Sequence, residues 1–141
     1  MRRITMSNDL VTSENLSKEL LHSIYDAAFM DTSWNANGDL IVKENSKCVV
    51  IPSDDNDLLM FLSLYSFKTS STQMERLECI NNMNNGYLMI RARLVPDDML
   101  KIDHHMYLRG GVSKKNIVLA TKFFLSIPSH AALDYGQDII A

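Results

Sequence analysis

Long apolar runs are missing from this 141-residue sequence. No stretch approaches the roughly 20 consecutive apolar residues that a membrane-spanning helix needs. Arg2 and Arg3 resemble the start of a signal peptide, but polar residues at 7–9 and 12–14 stand where the apolar core of such a peptide would begin. We therefore expect a cytoplasmic protein with no membrane partner.

A strong excess of charge is missing too. Fourteen Lys and Arg against 17 Asp and Glu give a net charge of −3. Nucleic-acid binding usually requires an excess of basic residues, so we expect no nucleic-acid partner. The hydrophobic fraction of 46% and the charged fraction of 22% are ordinary for a globular chain. The length suits one domain, which we place at 12–134, between a loose N-terminal segment 1–11 and a loosely held C-terminal tail 135–141.

Cysteine is scarce, and the familiar metal patterns are missing. Cys48 and Cys79 fall in segments predicted to be buried, and in a reducing compartment we expect free thiols. His104 and His105 are adjacent on a predicted strand, so their side chains point to opposite faces and cannot share a metal ion. The acidic loop 54–57 lacks the Gly and Glu of a calcium loop. We therefore expect no metal, no cofactor and no catalytic site.

Periodic patterns predict the element order α-β-β-β-α-β-β-α. The first helix follows a cap region at Thr12 and runs to about Met30, the second spans Thr72–Gly86 with Gly86 in a left-handed C-terminal position, and the third begins at Ser113. The predicted strands cover 39–44, 47–52, 58–67, 87–95 and 99–109. Antiparallel hairpins with helices on one face make a two-layer α+β domain.

The strand 58–67 has apolar side chains on both faces, which indicates a central position but leaves its orientation open. Opposite the helices, we expect an open sheet face that binds a partner. Its candidate residues are Tyr87, Met89, Arg91, Arg93, Tyr107 and Arg109, joined by Phe61, Tyr65 or Phe67 if strand 58–67 is turned that way. Tyr, Met and Arg are enriched in protein interfaces. The alternative is a solvated face on which arginine stems cover aromatic rings.

The turn Gly110–Lys115 offers a second candidate site. Two lysines at a helix N-terminus can attract an anion, but the segment lacks the phosphate-loop patterns. Paired glycine is most often used in turns, so the pattern favours a strand-to-helix turn over an anion site.

The segment Leu77–Leu125 resembles the YbjN family of bacterial sensory transduction regulators. The resemblance depends on an asparagine-bearing helix end at 79–84, a hairpin, the run 107–113 and the paired Phe123 and Phe124. Family members look like the small chaperones of type III secretion and share the predicted element order.

The resemblance implies a non-catalytic protein-binding module, chaperone-like or regulatory, forming a homodimer and holding an extended segment of another protein. The alternatives are a small-ligand or anion sensor at Gly110–Lys115 and, last, an unrecognised enzyme, since fold alone does not fix function.

Overall fold

The computed structural model describes residues 9–141. Its helices are α1 (Lys18–Ala27), α2 (Gln73–Gly86), α3 (Lys114–Leu125) and α4 (Pro128–Tyr135). Its strands are β1 (Leu10–Val11), β2 (Asp31–Trp34), β3 (Leu40–Lys43), β4 (Lys47–Pro52), β5 (Leu58–Ser66), β6 (Arg91–Val95), β7 (Met99–Tyr107) and β8 (Val112–Ser113). None of the helices in this described part is long and apolar enough to cross a membrane.

A six-stranded antiparallel sheet carries the fold, with strand order β2-β3-β4-β5-β7-β6. Strand β5 lies inside the sheet and pairs along its whole length with β7, from Leu58–Tyr107 to Ser66–Met99. Strands β1 and β8 form a separate two-stranded sheet. Short hairpins join most neighbours, which explains why sequential strands are adjacent.

Local sequence explains where the helices begin. Thr72 accepts a hydrogen bond from the Glu75 amide at 3.1 Å while the Glu75 carboxylate accepts one from the Thr72 amide, which is a complete capping box. Ser113 caps α3 through the Asn116 amide at 3.0 Å, as predicted. Helix α1 is capped by Ser17, later than the predicted region near Thr12, because residues 12–16 form a turn closed by Leu16 N–H on Thr12 C=O.

The core lies between the helices and one face of the sheet. The sheet contributes alternate residues of each strand, and the helices contribute fully buried side chains such as Tyr25, Met83, Ile117 and Phe124. Burying one such large apolar side chain stabilises the fold by about 1.5–3 kcal/mol. The predicted two-layer α+β architecture with helices on one face is therefore confirmed.

Three local predictions were wrong. Residues 31–33, expected to end the first helix, begin β2, whose pairing with β3 outweighs a polar sequence. The strand expected from Tyr87 begins only at Arg91, since Met89 has φ of 67° and breaks the extended chain. Gly86 is the last residue of α2 and not left-handed; a Cβ there would overlap the Tyr135 ring, so glycine permits the contact between α2 and α4.

The C-terminal residues pack against the sheet, so the expected loose tail is also wrong. The Lys68 amide donates to the Ile139 carbonyl at 2.7 Å, and the Ala141 amide donates to the Ser66 carbonyl at 2.8 Å. Phe67 and Ile140 form an antiparallel bridge between these bonds. Of the predicted loose segment 1–11, residues 1–8 lie outside the described part, and Leu10 and Val11 form β1.

Candidate functional site on the open face of the sheet

Register identifies the side chains that share the face away from the helices. Ile41 pairs with Val49, Val49 with Leu62, Leu62 with Asp103, and Asp103 with Arg91, so these five lie in one row across β3, β4, β5, β7 and β6. Alternation along each strand places further residues on the same side. We call this surface the open face; it comprises Ile41, Val49, Ile51, Met60, Leu62, Leu64, Arg91, Arg93, Lys101, Asp103 and His105.

The half of the open face on β3, β4 and β5 is apolar. Leu62 is nearly buried by its neighbours in the sheet, whereas Leu64 leaves 52% of its surface exposed. Ile41, Val49 and Met60 are half-buried beside them. A contiguous apolar surface on a sheet face that no helix covers is typical of a partner site.

The half on β6 and β7 is charged and has Asp103 at its centre. The Asp103 side chain is fully buried and accepts two hydrogen bonds from Arg91, from Nε and Nη2, each at 3.0 Å. Arg93 Nη2 lies 3.5 Å and Lys101 Nζ 3.9 Å from the same carboxylate. Burial alone would raise the pKa of Asp103, but the hydrogen bonds from Arg91 and the charges of Arg91, His105 and Lys101 hold it below its ordinary value.

This charged half has more positive than negative charge. One carboxylate, Asp103, faces the three cations Arg91, Arg93 and Lys101, so two positive charges remain. The Nε atom of Arg93 is buried and, among the described residues, has no hydrogen-bond partner. Because Arg93 is itself partly exposed, its guanidinium retains donors for an acceptor that arrives from outside.

A crevice of about 460 Å³ opens within the apolar half, where β4 and β5 separate. Their register pairs stop at Val49–Leu62, and beyond that point the Ser63 hydroxyl donates to the Lys47 carbonyl at 2.8 Å. Leu62 and Leu64 line the crevice from β5, together with Ile41 and Val49 from the other side. The side-chain bond from Ser63 takes the place of a ladder bond, which leaves room between the two strands.

Sequence comparison decides the family. The YbjN family model, described as "putative bacterial sensory transduction regulator", matches residues 17–131. The chain belongs to the YbjN family. A comparison with curated protein sequences finds no match.

Solved structures agree with that membership at the level of the fold. The crystal structure of YbjN from E. coli has a TM-score of 0.75 and 14% identity, covering 89% of this chain and 96% of that one. An uncharacterized protein from Methanothermobacter thermautotrophicus has a TM-score of 0.55 and 13% identity, covering 86% and 100%. The Yersinia pestis type III secretion chaperone SycH, in complex with a stable fragment of YscM2, has a TM-score of 0.52 and 14% identity, covering 82% and 97%.

The aromatic residues expected on the open face of this YbjN-family domain lie on its helix side. Phe61 is fully buried, with its ring centroid 6.1 Å from those of Phe124 and His104. Tyr65 packs against the core, and burial raises its pKa. Phe67 is 3% exposed, with the Arg76 guanidinium 5.7 Å from its ring centroid. Strand β5 therefore has the other of the two orientations that the sequence allowed, with Leu62 and Leu64 on the open face.

Tyr87 and Met89 are also away from the open face. Tyr87 caps the C-terminus of α2, meets Tyr135 edge-on with centroids 6.2 Å apart, and donates to Asp134. That hydrogen bond raises the pKa of Tyr87 to about 12. Met89 is exposed in the segment before β6. Both placements follow from the late start of β6.

Three of the predicted residues do share one side of the sheet. Arg91 and Arg93 are on the open face, and Tyr107 lies on that side at the end of β7, opposite Leu58. Arg109 follows β7 and approaches Asp55, whose pKa is lowered mainly by the Asp57 amide and the Ser53 hydroxyl. The sequence analysis missed Asp103, although its spacing opposite two alternating arginines was a usable signal for an ion-pair cluster.

The two histidines and two cysteines are placed as predicted. His104 stacks on Phe61 on the helix side, where burial lowers its pKa, while His105 is exposed beside Met60 on the other side. Cys48 and Cys79 are free and buried. Across residues 9–141, no group of His, Cys, Asp and Glu side chains could hold a metal ion.

The turn Gly110–Lys115 is built as a connection. Gly110 and Gly111 have φ of 88° and 90°, which only glycine adopts easily. The first amides of α3 are occupied, since Lys114 N–H donates to Asp9 C=O at 2.8 Å and Asn116 N–H donates to Ser113. This occupation favours a structural turn over the anion site.

Proposed function

We propose that this YbjN-family chain is a non-catalytic protein-binding module, chaperone-like or regulatory, that holds an extended segment of another protein on its open face. We place it in the cytoplasm. The observation that carries the proposal is the apolar half of the open face, where Leu64 is half exposed beside Leu62 and where Ile41, Val49 and Met60 are half-buried on the same side of the sheet.

Physical chemistry supports a protein partner for this surface. A strand whose two faces are both apolar is normally covered on both sides. Within residues 9–141, helices cover one side of β5 and leave apolar area on the other side in water until a partner covers it. The arginines beside that area are of the type that interfaces favour.

A photo-cross-linking amino acid at position 64 tests the proposal in cells that express the full chain. We expect ultraviolet light to join position 64 to another protein. The matched control is position 133, since Leu133 is 63% exposed on α4, away from the open face. No adduct at position 64, or equal adducts at both positions, would refute the proposal.

We include a homodimer in the proposal, in line with the secretion-chaperone resemblance. Light scattering during size exclusion measures the mass directly. A species near twice 16.0 kDa supports the dimer, and a species near 16.0 kDa removes the homodimer from the proposal.

A further inference from the structure

We propose that the segment held on the open face is acidic as well as apolar: an extended stretch of another protein whose apolar side chain enters the crevice between β4 and β5 and whose Asp or Glu residues meet the surrounding cations. This inference rests on the proposed function and adds the chemistry of the partner.

The crevice sets the apolar part of the recognition. Its volume of about 460 Å³ falls in the range of small binding pockets, and its open-face lining is aliphatic. Leu62 and Leu64 are neighbours on the same face of β5, so an apolar side chain that enters the crevice would contact both. The spacing suits an extended segment, because alternate side chains of a strand point the same way.

Cations stand on both sides of this crevice. Lys47 lines it and is exposed at the start of β4, and Lys101 lies opposite Leu64 on β7. Farther along the same face, Arg91 and Arg93 flank Asp103. A segment that runs from the crevice toward β6 therefore meets positive charge at both ends of its path.

The environment of Asp103 shows how the cations of the open face bind a carboxylate. Arg91 binds it in a bidentate manner, and Arg93 and Lys101 approach it with no second acidic partner among residues 9–141. Bidentate arginine bonds to carboxylate are among the strong, directional hydrogen bonds. Arg93 and Lys101 are thus positioned to donate hydrogen bonds to a further carboxylate, whereas a basic segment would be repelled.

Charge and apolarity together select the occupant. A nucleic acid is a poor match, because nucleic-acid binding depends on many cations along the phosphate backbone. The open face offers two surplus cations beside an aliphatic crevice, and the net charge of the chain is −3. A second copy of this chain would have to present an acidic, apolar strand. A peptide segment whose surface-facing side chains are apolar in one half and acidic in the other matches both halves of the open face.

Peptide binding to the full-length protein tests the inference. The probes are two fluorescein-labelled peptides of about eight residues, a common strand length, with serine at every second position. The remaining positions, which face the sheet together, carry leucine in one half and, in the other half, aspartate in one peptide and lysine in the other. We expect the aspartate peptide to bind at least about tenfold more tightly, with an affinity that falls as salt rises. Equal binding, tighter binding of the lysine peptide, or no binding of either would overturn the inference.

Variants locate the binding. Leu64→Asp should lower the affinity for the aspartate peptide by about thirtyfold, the scale of a lost interface anchor. Lys47→Glu, at an exposed position outside the core, should weaken it by about three- to tenfold and favour the lysine peptide. Lys115→Glu on α3 is the matched control and should change neither affinity. Full binding after both Leu64→Asp and Lys47→Glu would place the peptide elsewhere and overturn the inference.

The outcomes separate the inference from the proposed function. A cross-linked partner at position 64 whose attached segment is neutral or basic leaves the proposed function standing and overturns the acidic segment. Binding of labelled single-stranded DNA, with no binding of either peptide, overturns it in favour of a nucleic acid. Absence of any adduct at position 64 removes the proposed function itself.

Discussion

The two sides of strand β5 are both apolar, yet only one side belongs to the core. Phe61 on the helix side is fully buried against Phe124, whereas Leu64 on the open face is 52% exposed. The same strand therefore supplies folding energy on one side and uncovered apolar surface on the other. Apolar composition identifies a central strand, but the position of the helices determines which of its two sides is buried in the core and which stays exposed.

The largest loss of stability should follow a mutation on the side of β5 that faces the helices. Phe61→Ala removes a ring packed between Phe124 and His104, and we expect a loss of about 3–5 kcal/mol in the free energy of unfolding. Phe123→Ala is the matched control, because Phe123 is 53% exposed on α3 and should cost less than about 1 kcal/mol. Urea unfolding measures both; equal losses would show that the two rings are equally covered in solution.

A smaller loss of stability should follow a mutation in the charged half of the open face. Asp103→Asn weakens the bidentate bond with Arg91 and leaves three cations facing one another, so we expect a loss of about 1–3 kcal/mol at pH 7. The folded-state pKa of Asp103 is lowered, so its contribution is full above the unfolded-state pKa of about 3.9 and is lost as pH falls through the folded value.

The gap between wild type and Asp103→Asn should therefore close below about pH 4. Urea unfolding at pH 7 and at stepwise lower pH checks this. Asp54→Asn, at an exposed loop position, is the control and should follow wild type throughout. A gap that persists at the lowest pH would mean that the carboxylate contributes by packing and not by charge.

Prediction from sequence succeeded where the signal is local. The capping box at Thr72 and Glu75, the cap at Ser113 and the opposite placement of His104 and His105 each depend on a few neighbouring residues and were confirmed. The order of the main elements followed from the periodicity of the strands and helices.

Prediction failed where distant residues decide. Strand β5 has two equally apolar faces, so alternation could not tell whether Phe61 or Leu62 meets the helices. Gly86 is explained by Tyr135, which lies far along the chain. Residues 31–34 are polar and become a strand only through pairing with β3. These facts depend on tertiary contacts that no short window contains.

The smallest effect on stability should come from the residue on which the proposed function depends most. Leu64→Thr keeps a side chain suited to a strand while removing apolar surface that is already half in water, so we expect a change within about 0.5 kcal/mol. The control on the same strand, Leu59→Thr, affects a fully buried side chain and should cost about 2–4 kcal/mol. If Leu64→Thr instead costs more than about 2 kcal/mol, the Leu64 side chain is covered in solution. A cost that then vanishes on dilution identifies the cover as a second copy of the chain, because only an intermolecular contact depends on protein concentration.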